Sequence, residues 1–322
     1  MKCRKCSKPA VINMRQHKLA LCGEHFLEWI PVQTQRFIKK YEMFGPGDTI
    51  LVAVSGGKDS LSLWDVLLRL GYEARGLYID LGIFEEGYSS NSLAKVQRFV
   101  EKREGARFKV VDVEEVYGKS IPQLVKERPG QKSCSLCGLV KRYVMNRAAL
   151  EEGAILATGH NLDDEVAVLL QNALHWQTGY LARQAPVLLS THPRLARKVK
   201  PFFRFYERET AAYAILRGID YIYEECCFAT GATTIFYKGL LNRLEERSRG
   251  AKSQFYLSFL RAREKGRFFG RVSPQGRRDD AERILVDEGL ELGECERCGQ
   301  PTTAPGLCAF CRLWKAKEAE AP

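Results

Sequence analysis

The chain of 322 residues is long enough for one large domain with appended modules, and 45% hydrophobic with 28% charged residues excludes a disordered polypeptide. No apolar run approaches the roughly 20 residues of a membrane helix, and the start at Met1–Cys6 has no apolar segment behind it, so a cytoplasmic protein with no membrane partner is expected. Fifty Lys plus Arg against 39 Asp plus Glu give a net charge of +11, which suits a polyanion whose phosphates exchange counterions for lysine and arginine.

In chain order, residues 1–30 read as a small Cys/His module and 31–46 as a linker, with a connecting helix over 31–44. Thr49–Val54 is a continuous apolar run of the kind buried in a parallel sheet. Alternating elements follow: helix Leu61–Leu70, strand Ala74–Ile79, helix Ser92–Arg103, strand Arg107–Val113, helix Leu136–Glu152, strand Ala154–Thr158 and helix Asp163–Leu174. Repeated βα units predict a doubly wound parallel α/β sheet over a domain spanning 47–230, with ligands outside the carboxyl ends of its strands. Residues 176–210 look irregular and basic, 231–290 form a basic helical region, and 291–322 form a second Cys module.

Val52-Ala53-Val54-Ser55-Gly56-Gly57-Lys58-Asp59-Ser60 runs from a buried strand into a helix. Small residues let the backbone close around a phosphate, whose charge is met by amide N–H groups and the helix N-terminus. Ser55 and Ser60 add hydroxyl donors, Lys58 a cation and Asp59 a route to Mg²⁺. The spacing is not that of the kinase and GTPase phosphate loop; the string resembles the loop of ATP-pyrophosphatases, which transfer AMP to a substrate oxygen. Thr158-Gly159-His160-Asn161-Leu162-Asp163-Asp164 follows another strand and belongs on the same sheet edge, where its acidic pair could hold Mg²⁺ or help activate substrate.

Eight of the eleven cysteines fall in four Cys-x2-Cys pairs, Cys3/Cys6, Cys134/Cys137, Cys295/Cys298 and Cys308/Cys311, and the others are Cys22, Cys226 and Cys227. Cys3-x2-Cys6 followed by Cys22-x2-His25, and Cys295-x2-Cys298 followed by Cys308-x2-Cys311, each supply the four ligands of a structural Zn²⁺. Two Zn²⁺ ions are expected, on surfaces that also touch RNA or a second subunit. Cys134, Cys137 and one of Cys226/Cys227 remain. Three thiolates suit a 4Fe-4S cluster with one iron open to an external ligand. Persulfide and disulfide chemistry on the same thiols, or buried inert thiols, are the competing readings.

Together these motifs resemble the TtuA group of tRNA 2-thiolation enzymes, close to the archaeal and eukaryotic cytosolic tRNA thiouridylases. The resemblance spans nearly the whole chain: the N-terminal finger, Ser55–Ser60, Cys134-Ser135-Leu136-Cys137-Gly138 with Lys141-Arg142-Tyr143, Gly159–Asp164, Glu224-Glu225-Cys226, and the C-terminal finger. It implies ATP bound by Ala53, Ser55, Gly56, Gly57, Lys58, Asp59, Ser60, Ile79, Lys141, Gly159 and Asp164, and a 4Fe-4S cluster on Cys134, Cys137 and Cys226. Catalytic importance carries onto Asp59, Lys141 and Asp164 together with those three cysteines. The implied substrate is a uridine C2 position in tRNA, the 54th nucleotide in TtuA enzymes, with sulfur from a small ubiquitin-like carrier ending in a thiocarboxylate. The family usually has proline after the third cysteine where this chain has Cys227, an alternative ligand or resolving thiol; Glu224-Glu225 before it favours Cys226. His25 favours the TtuA group over wobble-uridine thiouridylases, which tend to have an all-Cys finger.

The reaction expected is adenylation of the C2 oxygen, then displacement of AMP by sulfur. Basic stretches 183–208 and 232–271 are the expected tRNA contacts, with Arg197, Lys198 and Lys200 on phosphates and Phe202, Phe203, Phe205, Tyr206, Phe268 and Phe269 stacking on splayed bases. A homodimer joined through a finger module is expected. The alternatives are another tRNA-modifying ATP-pyrophosphatase, such as a cytidine 2-thiolase or lysidine synthetase, and a non-enzymatic zinc-finger RNA-binding protein.

Overall fold

The computed structural model describes residues 1–83, 87–229, 233–265 and 293–314. Phe268, Phe269 and the basic segment around them lie outside the described residues. A hairpin of β1 (Ile12–Met14) and β2 (Leu19–Leu21) leads into α1 (Gly23–Lys40). This helix starts earlier than the sequence suggests and passes through Pro31, because Phe26, Ile30, Phe37 and Ile38 all bury against the domain core and outweigh the local break.

The predicted βα units are all present. β3 (Ile50–Val54), α2 (Lys58–Arg69), β4 (Ala74–Asp80), α3 (Tyr88–Glu101) and β5 (Phe108–Asp112) come first. The short α4 (Val113–Tyr117) and α5 (Ile121–Glu127) follow, then α6 (Ser133–Glu151), β6 (Ile155–Thr158) and α7 (Leu162–Leu174). The stretch expected to be irregular contains α8 (Thr178–Arg183), β7 (Val187–Leu188), β8 (Lys198–Val199) and the start of α9 (Glu207–Leu216). Strands this short carry no readable alternation. After them come α10 (Thr233–Arg247), α11 (Ala251–Glu264), the β9 (Gly293–Glu294) and β10 (Pro301–Thr302) hairpin, and α12 (Ala309–Leu313).

The central sheet has the order β5-β4-β3-β6-β8-β7 and is parallel except for β7 at its edge. β3 pairs with β4 on one side and with β6 on the other, so chain connections leave in opposite directions and open a crevice at their carboxyl ends. The loops Ser55–Gly57 and Gly159–Asn161 both lie at that crevice. Among the described residues no helix is long and apolar enough to cross a membrane.

Phe202, Phe203, Phe205 and Tyr206 are core residues, which corrects their expected role on RNA. Phe203 packs edge-on to Tyr41, and Phe205 against Trp29 and Phe37. Arg197 donates to the Glu42 carbonyl, Lys200 is paired with the buried Glu165 at 2.8 Å, and burial with the nearby Lys200 charge pushes Lys198 down to about 8. These three cations are spent on the fold rather than on a phosphate-binding face.

One buried ion cluster binds α2 to α9. The wholly buried Asp65 carboxylate accepts from Arg103 at 2.6 Å, Arg217 at 2.9 Å and the Tyr213 hydroxyl at 2.6 Å. Burial pushes its pKa up, but the Arg217, Tyr213 and Arg103 hydrogen bonds outweigh this and hold it below the ordinary carboxylate range. Its stabilisation is therefore present above the unfolded carboxylate pKa and is lost as pH falls through the lower folded value. Asp65→Ala is expected to cost about 3 kcal/mol, at the low end for a broken buried pair because both guanidinium groups reach water. Urea unfolding should show the lower midpoint with an unchanged slope.

Candidate functional site

The turn after β3 can close tightly because Gly56 has φ +74°, and a Cβ there would stand 2.6 Å from the Ser92 carbonyl oxygen. Ser60 braces the turn: its hydroxyl donates to the Gly57 carbonyl at 3.0 Å and accepts from the Ser55 amide at 3.2 Å. Gly57 caps α2, whose free N–H groups and positive end face the crevice. Gly159 lies against this loop, with room only for hydrogen, since a Cβ would meet the Ser60 amide nitrogen at 2.8 Å. Ala53 and Ile79 are half-buried and pack together on one side of the sheet near the carboxyl ends.

The charged side chains form one network over the loop. Lys58 pairs with Asp59 at 3.1 Å and with Glu207 at 2.8 Å. Lys238 of α10 pairs with Asp164 at 2.6 Å and Glu207 at 3.2 Å. Thr210 donates to Asp59. Burial pushes the Asp59 pKa up, Lys58 and Thr210 oppose it, and the Asp164 charge adds to the rise. Asp164 also closes a capping box with Asn161, each side chain accepting from the other's backbone amide. The exposed His160 bonds the Thr158 hydroxyl at 2.9 Å, and desolvation of its ring, then the Lys200 and Lys198 charges, push its pKa down.

α6 carries Cys134, Cys137 and Lys141 on its first turns. The exposed Cys134 thiol donates to the Phe228 carbonyl at 3.0 Å, which joins α6 to the turn holding Cys226 and Cys227. Burial raises the Cys137 pKa, Lys141 lowers it through its charge and a hydrogen bond, and Cys226 and Cys134 raise it. The Tyr88 phenol is likewise raised by burial and then by Cys226, Cys137 and Cys227. The cysteine turn is tied to the glycine loop by the Ile222 amide, which donates to the Gly56 carbonyl at 2.9 Å. These contacts put Lys141 beside Cys137 and tie the cysteine turn to the glycine loop.

Two further groups each have four ligand atoms within 4.8 Å of one another: Cys3, Cys6, Cys22 and His25, and Cys295, Cys298, Cys308 and Cys311. Sulfur–sulfur separations of 3.8 Å occur in both, for Cys6–Cys22 and Cys298–Cys308. A tetrahedral zinc site with ~2.3 Å Zn–S bonds has edges of about 3.8 Å, so both sets fit such an ion. Among the described residues these are the only sets so close; the four remaining cysteines, Cys134, Cys137, Cys226 and Cys227, form no such set. Their donor set, thiols alone with no histidine or carboxylate among them, suits a cluster that gives each thiolate its own iron. The C-terminal module also props α6: Phe310 stacks on Tyr143 at 3.5 Å, and Trp314 stacks on Tyr117.

Sequence reasoning missed Glu207, Thr210, Lys238 and Tyr88. Glu207 lies inside the 183–208 stretch read as RNA-binding and Thr210 just after it, and Lys238 lies in the 232–271 stretch read the same way. No spacing links them to the loop, so only the fold reveals them.

Fold and loop define a PP-loop, ATP-pyrophosphatase-like enzyme. The solved U34-tRNA thiolase NcsA from Methanococcus maripaludis, described with its 4Fe-4S cluster, shares the fold with a TM-score of 0.76 at 24% identity, over 97% of this chain and 95% of that one. A family profile described as 2-thiouridine synthetase TtuA, N-terminal LIM domain, matches residues 2–27. The tRNA-5-methyluridine(54) 2-sulfurtransferase of Thermus thermophilus is 49% identical over 317 residues, covering 98% of this chain and 92% of its own. That of Pyrococcus horikoshii is 41% identical over 319 residues, covering 99% and 95%. The chain belongs to this family of tRNA sulfurtransferases, as its motifs implied.

Proposed function

We propose that this enzyme replaces the C2 oxygen of uridine 54 in the tRNA T loop with sulfur, using ATP and Mg²⁺. The observation that carries the reading is the Ile222–Gly56 hydrogen bond, which joins the cysteine turn to the nucleotide loop at one crevice. The uridine C2 oxygen attacks the α-phosphorus of ATP and pyrophosphate leaves; sulfur then attacks C2 and AMP leaves with the original oxygen. Loop amides, Ser55, Ser60 and Lys58 hold the phosphates, while Asp59 and Asp164 supply carboxylates for Mg²⁺. Lys141, one turn after Cys137, reaches toward the α-phosphate. Cys134, Cys137 and Cys226 would hold a 4Fe-4S cluster, which when bound would supply Lewis-acid chemistry for the sulfur transfer. Two Zn²⁺ ions fill the terminal modules, and the one in the C-terminal module fixes the platform on which α6 rests.

The exposed Arg243, Arg247 and Arg249 at the end of α10 take over the tRNA-phosphate role from residues 197–200. The sulfur donor is a ubiquitin-like protein thiocarboxylate, the assembly a homodimer, and the compartment the cytoplasm. Protein purified without oxygen should contain about four irons, four sulfides and two zincs per chain and should thiolate tRNA transcripts with uridine 54 but not those with cytidine there. Two zincs with no iron after anaerobic reconstitution, alongside full thiolation, would move sulfur transfer to a persulfide on Cys226 or Cys227.

A further inference from the structure

Glu207 holds two ammonium groups at once. Its Oε1 accepts from Lys58 at 2.8 Å and its Oε2 from Lys238 at 3.2 Å. Lys58 belongs to the loop, whereas Lys238 comes from α10, far away in sequence and outside every motif. A carboxylate bridging two lysines above a helix N-terminus sits where a bound phosphate chain would find its countercharges.

We propose that Glu207 is a resident stand-in for the pyrophosphate half of ATP and that Lys238 is a second cation of the pyrophosphate cradle, so that nucleotide binding exchanges the Glu207 carboxylate for phosphate oxygens on both lysines. The inference rests on the reading that the loop after β3 binds ATP. The exchange favours the nucleotide because the phosphate chain brings more negative charge to the same two cations than one carboxylate does. Glu207 can leave without disturbing α9: its side chain is 38% exposed, and its own amide stays anchored on the Asp163 carboxylate at 2.8 Å. Lys238 stays charged throughout, since burial lowers its pKa but Asp164 and Glu207 outweigh burial and raise it. Asp163 is paired in turn with Lys252 of α11 at 2.5 Å, so the neighbours of the exchanging side chains are fixed while the side chains swap partners. Lys238 is thus a phosphate-binding residue and Glu207 a positioning residue that keeps both lysines aimed at the loop in the free enzyme.

Calorimetric titration of the metal-loaded protein with inorganic pyrophosphate, with AMP and with α,β-methylene-ATP tests this. Lys238→Met should weaken pyrophosphate and ATP-analogue binding about tenfold and leave AMP within twofold, as expected for one lost charge-assisted hydrogen bond. Lys238→Arg should recover most of the affinity. Glu207→Gln should tighten pyrophosphate several-fold, because the competing anion is gone. Zinc content and thermal midpoint identify folded variants. Equal losses for AMP and pyrophosphate in Lys238→Met, or weaker pyrophosphate binding in Glu207→Gln, would overturn the proposal. If the unaltered protein binds neither pyrophosphate nor the analogue, the ATP reading falls first and this one with it.

Discussion

Replacing Cys137 by serine should reduce tRNA thiolation to assay background while ATP-analogue affinity stays within about twofold. The side chain is buried on α6 beside Leu136 and Val140, and serine is close to it in volume, so the helix keeps its packing. The Tyr143–Phe310 stack that holds α6 to the C-terminal module is untouched, so zinc stays at about two per chain. What serine lacks is a thiolate. Burial raises the Cys137 pKa, Lys141 lowers it, and Cys226 and Cys134 raise it, so three cysteines that would have to ionise together as ligands share one nearby lysine. Such a convergence is stable only with a cationic centre among them. Iron should therefore fall with thiolation. Full thiolation by an iron-free Cys137→Ser protein would end the cluster reading, and loss of zinc together with iron would show that α6 itself had been disturbed.

The parts of the molecule that could be read from sequence are those whose cause is local. The apolar run Ile50–Val54, the glycine turn behind it and the α2 N-terminus are adjacent in the chain, and so are the ligand pairs Cys3/Cys6 and Cys308/Cys311. Steric freedom at Gly56 and the coordination demands of one ion fix such segments within a few residues. Where identity depends on distant partners, the pattern misled. Phe202, Phe203 and Phe205 sit among arginines and look like a base-stacking platform, yet all three are buried, Phe203 and Phe205 against Phe37 of α1 and Phe202 against Phe205. Lys198 and Lys200 look like free cations, yet one is half-buried in a strand and the other balances Glu165. Glu207 and Lys238 gave no signal because their meaning is the loop they share, and that adjacency is made by the return of α9 and α10 to the crevice.

Asp59→Asn should lower tRNA-dependent pyrophosphate release by about 100- to 1000-fold, with a smaller change in the apparent affinity for ATP. Asparagine keeps the volume and can still accept from the Thr210 hydroxyl, so the first turn of α2 remains braced against α9. Only the charge disappears. If Asp59 anchors Mg²⁺ as it neutralises the departing pyrophosphate, the variant should also need more Mg²⁺ to reach its own maximal rate. The pH profile separates this from simple damage. Asp59 is raised by burial and by the Asp164 charge, so its active, ionised form is lost as pH falls through a value above the ordinary carboxylate pKa. The unaltered enzyme should show that acid limb, and Asp59→Asn should lack it. Asp164→Asn removes the like charge, so the limb in its residual activity should move to lower pH. An acid limb that persists in Asp59→Asn, or pyrophosphate release at the unaltered rate, would assign the raised carboxylate no part in the chemistry and leave Asp59 as a brace between α2 and Thr210.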